Sequence, residues 1–139
     1  MSLFRSFDIS ASGLTAERLR MDTIANNLAN VNTTRTARGG PYRRQMVVFE
    51  ERLAQVMGRG GLRGAGVRVR RIVEDDDPPR LEYNPHHPDA NEEGYVAMPN
   101  VNVVTEMVDM ISASRAYEAN IAALNAAKAM ALKALEIGR

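Results

Sequence analysis

Two long apolar stripes, one near each end of the chain, set the expected architecture. Between residues 102 and 137 there is no Gly and no Pro, and strong helix formers dominate. Steps of three and four from Met107 reach Met110, Ser114, Tyr117, Ile121, Leu124, Lys128, Ala131 and Leu135. Val108, Ile111, Ala127 and Leu132 widen that line into a face. Asn102 is placed to cap the helix and Gly138 to end it. Glu106 and Asp109 lie early and Lys128 and Lys133 late, which suits the helix dipole. About 35 residues at roughly 1.5 Å each make a rod of about 50 Å. Such a helix buries its stripe only against another long helix or against copies of itself.

Residues 2–31 carry the second stripe. Phe4, Phe7, Ala11, Leu14, Met21, Ile24, Leu28 and Val31 recur at steps of three and four, with Arg18 in the one longer gap. Gly13 weakens the middle of this helix by about 1 kcal/mol relative to Ala. The pattern predicts a mainly α fold with a small β insertion. Its long N- and C-terminal helices pack as an antiparallel coiled-coil-like hairpin. Residues 1–34 and 101–139 then form one discontinuous domain, with 35–100 inserted between them.

Asn26, Asn27, Asn30 and Asn32 crowd the end of the first helix, and Asn is a mediocre helix former. Two readings fit. The cluster is either a fraying end with Asn as a left-handed cap, or Asn26 and Asn30, four apart, bond across an interface and fix its register.

The middle changes character. QMVVFEERL (residues 45–53) holds a short β-favouring run, and GRGGLRGAG (58–66) reads as a loop or hairpin tip. VRVRRIVED (67–75) alternates until Ile72 and Val73 break the period, which predicts a bulged strand pairing with 45–53. DDDPP (75–79) ends it, RLEY (80–83) is a possible short strand, and residues 84–95 read as a loop.

Composition narrows the function. The 139 residues carry a net charge of +1, so no field of one sign marks nucleic acid or anionic lipid as the main partner. With no Cys there is no disulfide, thiolate catalysis or Cys-bound metal. No apolar run approaches a membrane span, and MSLFRSFDISASG lacks the long apolar region of a secretory signal. Export, if it occurs, is expected by another route.

Candidate chemistry is sparse. His86 and His87 are adjacent in a Pro-bracketed loop, poorly placed to share a metal, and Asp89 alone does not complete a ligand set. The acidic run 75–77 lacks the EF-hand pattern and meets Pro78. Arg59, Arg63, Arg68, Arg70 and Arg71 among glycines suggest an RNA-binding segment. No aromatic lies between Phe49 and Tyr83 to stack on bases, and acidic residues follow at once. No phosphate loop, nucleophile elbow or HExxH motif occurs. The expectation is a non-enzyme with no cofactor, no metal, no nucleic acid and no small-molecule substrate.

Two classes of function remain. One is a structural subunit assembling side by side through its terminal helices. The other is a helical-hairpin adaptor gripping a partner with its Arg/Gly-rich loop. Alanines on most sides of the last helix favour assembly, because they let several helices approach it closely.

At these same residues the chain resembles a known family. ANNLANVNTT (25–34), with Gly13 upstream, is similar to the N-terminal signature of bacterial flagellar rod and hook proteins. EMVDMISASRAYEAN (106–120) is similar to their shared C-terminal helix. YRRQMVVFEE (42–51), NPHHPDA (84–90) and EEGYVAMPN (92–100) resemble the proximal-rod branch of that family, so the likeness spans nearly the whole chain. The PNVN lead-in and the terminal AKAMALKALEIG (127–138) point to the same branch; another rod or hook subunit is the alternative.

The resemblance implies a rod subunit of the flagellar basal body in the periplasmic space. Its partners are copies of itself, other rod proteins and, during secretion, the flagellar type III export apparatus. It implies termini that become helical on assembly and form the inner tube of a hollow shaft. Carried over by residue, Asn26, Asn27, Leu28, Asn30 and Asn32 match the first motif. Met107, Ile111, Arg115, Tyr117, Glu118 and Asn120 match the second, with Arg115 and Glu118 expected as an ion pair. Leu14, Met21, Ile24, Val31, Ile121, Leu124 and Leu135 complete the expected helix-packing and subunit-interface set.

Overall fold

The computed structural model describes residues 2–55 and 62–138. Six elements follow in order: α1 (Ser2–Ala29), β1 (Gln45–Gln55), β2 (Leu62–Glu74), β3 (Arg80–Tyr83), β4 (Tyr95–Met98) and α2 (Val103–Ile137). Long helices at both ends and a small antiparallel β region between them match the predicted class. Of the Arg/Gly-rich stretch, residues 58–61, including Arg59, lie outside the described residues.

The helix ends follow from local chemistry. The Asn102 side chain accepts from the Val104 and Thr105 amides at 3.0 and 3.2 Å, satisfying two donors of the first turn of α2. Gly138 caps the other end. α1 stops at Ala29, inside the asparagine cluster, and the Asn30 amide still bonds the Asn26 carbonyl at 3.1 Å.

β1 and β2 form an antiparallel hairpin that extends the strands expected from the 45–53 and 67–75 stretches toward the tip, to Gln55 and back to Leu62. The expected bulge is present: Val48 faces Arg71 and Phe49 faces Val69, which leaves Arg70 as the extra residue. A second irregularity lies between Glu51 and Leu53, opposite Gly66, whose φ is +103°. Residues 62–66, read from sequence as loop, therefore belong to β2. Gly66 has a packing role there: a Cβ on it would lie 2.2 Å from Ser12 Oγ and 3.4 Å from Ile9 Cα. β2 thus lies directly on α1, and the Val67 amide donates to Ser12 Oγ at 3.1 Å.

β3 pairs with β4, from Arg80 opposite Met98 to Tyr83 opposite Tyr95. β4 falls partly in a stretch read as loop. Four residues give too short a period to recognise, and it is the pairing with β3 that makes them a strand. Tyr83 and Tyr95 meet edge to face with centroids 5.3 Å apart.

α1 and α2 run in opposite directions and touch from Asn27 and Glu106 to Gly13 and Asn120. Asn27 bonds Glu106, Arg20 pairs with Asp109, and Gly13 faces the Asn120 side chain. The seam on α2 runs through Glu106, Met110, Ala113, Tyr117, Asn120, Leu124, Ala127 and Ala131, all buried or half-buried. It lies beside the stripe expected from Met107. Met110, Tyr117 and Leu124 face the seam as expected, whereas Met107, Ile111, Ile121 and Leu135 are exposed. Small residues occupy the tight positions of the seam, because Gly13, Ala16, Ala113 and Ala127 let the axes close. Apart from Met110, Tyr117 and Leu124, the larger apolar side chains of α2 are left outside.

Candidate functional site

Where α1 ends and α2 begins, five segments meet around one polar cluster. Asn27, 1% exposed, uses its whole amide. Its Nδ2 donates to the Gln45 carbonyl at 2.8 Å and to Glu106 Oε2 at 3.0 Å. Its Oδ1 accepts from the Tyr42 hydroxyl and from the Gln45 amide, both at 2.9 Å. All four bonds that an Asn amide can make are present.

Glu106 is fully buried, and its second oxygen accepts from Arg44 Nε at 2.5 Å. Arg44 reaches on to Asp75 at 3.5 Å and Asp109 at 3.3 Å, while its backbone amide donates to Asn100 Oδ1 at 2.8 Å. Asn100 in turn donates to the Asp75 and Asp77 carbonyls. Arg20 on α1 contacts Asp109 at 3.7 Å. The base of the hairpin, the lead into α2 and both helix ends are thereby tied together.

The charges are held by their neighbours. Burial works against the Arg44 cation, but the hydrogen bond and charge of Glu106, with Asp75 and Asp109, more than offset it and raise its pKa. Burial, then the charges of Glu106 and Glu74, raise the Tyr42 pKa, so its hydroxyl stays a donor to Asn27. Breaking such a cluster is costly, because each remaining group would stay buried without its partner.

A second tie joins the exit of α1 to the loop at 84–94. Asp89 accepts from Thr34 Oγ1 at 2.8 Å and pairs with Arg35, while its amide donates to His87 Nδ1. The hydrogen bond from Thr34 leads in lowering the Asp89 pKa below its ordinary 3.8; burial opposes it and Arg35 adds to it. A depressed carboxylate stabilises the fold above its unfolded pKa and loses that contribution as pH falls through the lower folded value. Protection of the 84–94 amides, taken relative to the intrinsic exchange rate at each pH, is therefore expected to fall below the ordinary Asp range. Asp89→Asn should remove that pH dependence.

The expected site residues divide into groups. Asn27 and Ile24 are buried; Leu14, Met21, Leu28, Asn30, Val31, Tyr117, Asn120 and Leu124 are half-buried. Asn26, Asn32, Met107, Ile111, Arg115, Glu118, Ile121 and Leu135 are exposed. Asn26 and Asn30 bond each other along α1, so it is Asn27 that reaches across. Arg115 and Glu118 form no ion pair among the described residues, where an exposed pair on one helix is worth only about 0.3–0.5 kcal/mol. Sequence reading missed Arg44, Tyr42, Asn100 and Glu106 as members of the site. One signal was available: the step of four back from Met110 places a carboxylate, Glu106, at the start of the mainly apolar line.

α2 also leaves an outer line uncovered. Val104, Val108 and Ile111 are 71, 60 and 61% exposed, and Leu132 and Leu135 are 53 and 71% exposed. Among the described residues no group of three or more His, Asp or Glu could hold a metal ion. No described helix is long and apolar enough to cross a membrane.

Comparison with known proteins accounts for both ends of the chain. Residues 7–35 match the family model described as flagella basal body rod protein. Residues 92–137 match the one described as flagellar basal body rod FlgEFG protein C-terminal. The flagellar basal-body rod protein FlgC of Borreliella burgdorferi is 50% identical, with 99% of this chain and 98% of that protein covered. The chain belongs to the FlgC family of flagellar basal-body rod proteins. The FlgC protein of Bacillus subtilis is 48% identical, with both chains fully covered. That of Escherichia coli O6:H1 is 45% identical, again over both full chains. Asn27 lies in the first matched region and Glu106 in the second, so the polar cluster joins the two segments that match the flagellar rod family models.

Proposed function

We propose that this structural subunit of the flagellar proximal rod assembles side by side through α1 and α2 into a hollow shaft. In that assembly α1 and α2 act as one coiled-coil-like inner domain, residues 1–34 and 101–139, and residues 35–100 form an outer layer. The shaft transmits motor torque and leaves a channel for exported proteins. Its partners are copies of itself and other rod subunits in the periplasmic space, reached unfolded through the flagellar type III export apparatus. The interface residues are those named from the sequence, with Asn27 as the amide that fixes helix register.

One observation carries this reading: most of the large apolar residues of α2, among them Val104, Met107, Val108, Ile111, Leu132 and Leu135, lie outside its seam with α1. The seam itself is lined mostly by alanine, glycine and polar groups. Burying a methyl-sized group contributes about 0.8 kcal/mol, whereas ordering each backbone residue costs about 1–2 kcal/mol. Helices of 28 and 35 residues joined by so thin a seam gain their remaining stability from neighbours covering Val104, Ile111 and Leu132. Rigidity then comes from lateral repetition.

Leu28→Asp or Ile121→Asp is expected to abolish rod assembly and swimming in a complemented strain while cytoplasmic expression persists. Normal swimming in both would refute the assembly reading. Amide exchange on the dilute full-length chain gives an independent check. Rapid exchange over 2–31 and 102–137 is expected; full protection in a monomer would favour an adaptor instead.

A further inference from the structure

The outer faces of the two helices fit each other, and they cannot do so within one molecule. On α1 the outer line runs through Phe4, Asp8, Ala11, Thr15, Arg18, Asp22 and Ala25 at alternating steps of four and three, and all are exposed. On α2 the corresponding line runs through Val104, Val108, Ile111, Arg115, Glu118, Ala122, Asn125, Ala129 and Leu132, with Lys128 on its flank, and again all are exposed. Within a protomer α1 faces α2 through Gly13, Arg20 and Asn27. Both outer lines are therefore left over after the hairpin has formed.

Their charges are complementary in order and spacing. Asp8, Arg18 and Asp22 read minus, plus, minus, separated by ten and four residues. Lys128, Glu118 and Arg115, read in the opposite direction, are plus, minus, plus, separated by ten and three. None of the six makes an ion pair or side-chain hydrogen bond with another described residue. Antiparallel alignment in that register brings Glu118 to Arg18, Arg115 to Asp22 and Lys128 to Asp8. Apolar positions follow: Phe4, 75% exposed, meets Leu132, and Ile111 meets Ala25, a large side chain against a small one. Thr15, Arg18 and Asp22 also form one wall of an open groove of about 500 Å³, whose other wall carries Arg52 and Val67 of the hairpin.

We infer that α2 of a second copy docks antiparallel on the outer line of α1, in the groove beside the hairpin, with Glu118 on Arg18 and Arg115 on Asp22. Copies pointing the same way along a shaft present α1 of one and α2 of the next in opposite directions, as this pairing requires. The contact joins two different surfaces, so each added copy leaves a free α1 line at one end and a free α2 line at the other, and the assembly propagates. Opposed charges set the register, and the apolar positions supply most of the affinity.

This inference rests on the assembly reading above and names the surfaces it uses. The test follows assembly of the purified full-length chain by sedimentation at rising concentration. Arg18→Glu and Glu118→Arg each place like charges together and are expected to weaken self-association about tenfold or more. Mixing the two variants, or combining both changes in one chain, restores opposite charges and should return association to within about threefold of wild type, a residual cost below 1 kcal/mol. Both residues are exposed and have no ion-pair partner among the described residues, so the fold itself is untouched. Loss in each variant without recovery on mixing would overturn the pairing, and so would unaltered association in both. Leu28→Asp run alongside separates the two levels. If it fails to assemble while the charge reversals assemble normally, this register falls and the assembly reading stands.

Discussion

Asn27→Leu is expected to destabilise the protein by about 4 kcal/mol, although Leu suits a helix better and branches at the same atom. The substitution leaves the Tyr42 hydroxyl, both backbone groups of Gln45 and one Glu106 oxygen without the partner they share. Each buried polar group left unpaired costs about 1–3 kcal/mol, partly recovered where water can enter. Asn27→Asp is the sharper variant, because it keeps the shape and replaces the donor facing Glu106 with an acceptor. Two carboxylates would then meet where 3.0 Å now separates donor from acceptor. The new carboxyl would have a raised pKa in the folded state, so its penalty is present at neutral pH and is relieved as pH falls. Urea unfolding of the assembled protein, in which α1 and α2 are ordered, reads both effects at pH 7 and pH 5. Equal stability of Asn27→Leu and wild type would show that the cluster contributes nothing to the fold.

Gly66→Val is expected to cost about 3 kcal/mol or more and to detach β2 from α1. A φ of +103° is strained for any side chain, and most of all for a β-branched one. The added Cβ would displace Ser12 Oγ, which receives the Val67 amide and donates to the Ile9 carbonyl at 2.7 Å. The neighbouring Ile9 backbone, 3.4 Å from the new atom, prevents relief by a simple shift. Amide exchange should accelerate at Val67 and along β2 while the far ends of α1 and α2 exchange as before. Gly39→Val is the matched control, with a φ of +84° and open space around it, so it carries backbone strain alone. Equal losses in the two variants would show that contact with α1 adds nothing at Gly66.

The glycines show where sequence reading stops. Five glycines in nine residues correctly mark an irregular backbone. Composition has no means of showing that one of them is pressed against a helix more than fifty residues away. β4 is similar: four residues become a strand only because β3 offers them an edge. The bulge at Arg70, by contrast, was legible, since Ile72 and Val73 break an alternating pattern that the register must absorb.

The sequence by itself determined two long terminal helices, the Asn102 cap, the antiparallel hairpin between them and the asparagine cluster as the odd end of α1. All of these depend on periodicity or on bonds between residues a few positions apart. Only the tertiary structure decided how α2 is rotated about its axis, and hence which of its apolar residues face α1. In a helix apolar on most sides, hydrophobicity barely distinguishes one face from the next. The choice falls to Asn27, Arg44 and Glu106, which are far apart in the chain and whose buried bonds are satisfied in one orientation alone. That orientation turns Ala113 and Ala127 inward and leaves Val104, Ile111 and Leu132 for a neighbour to cover.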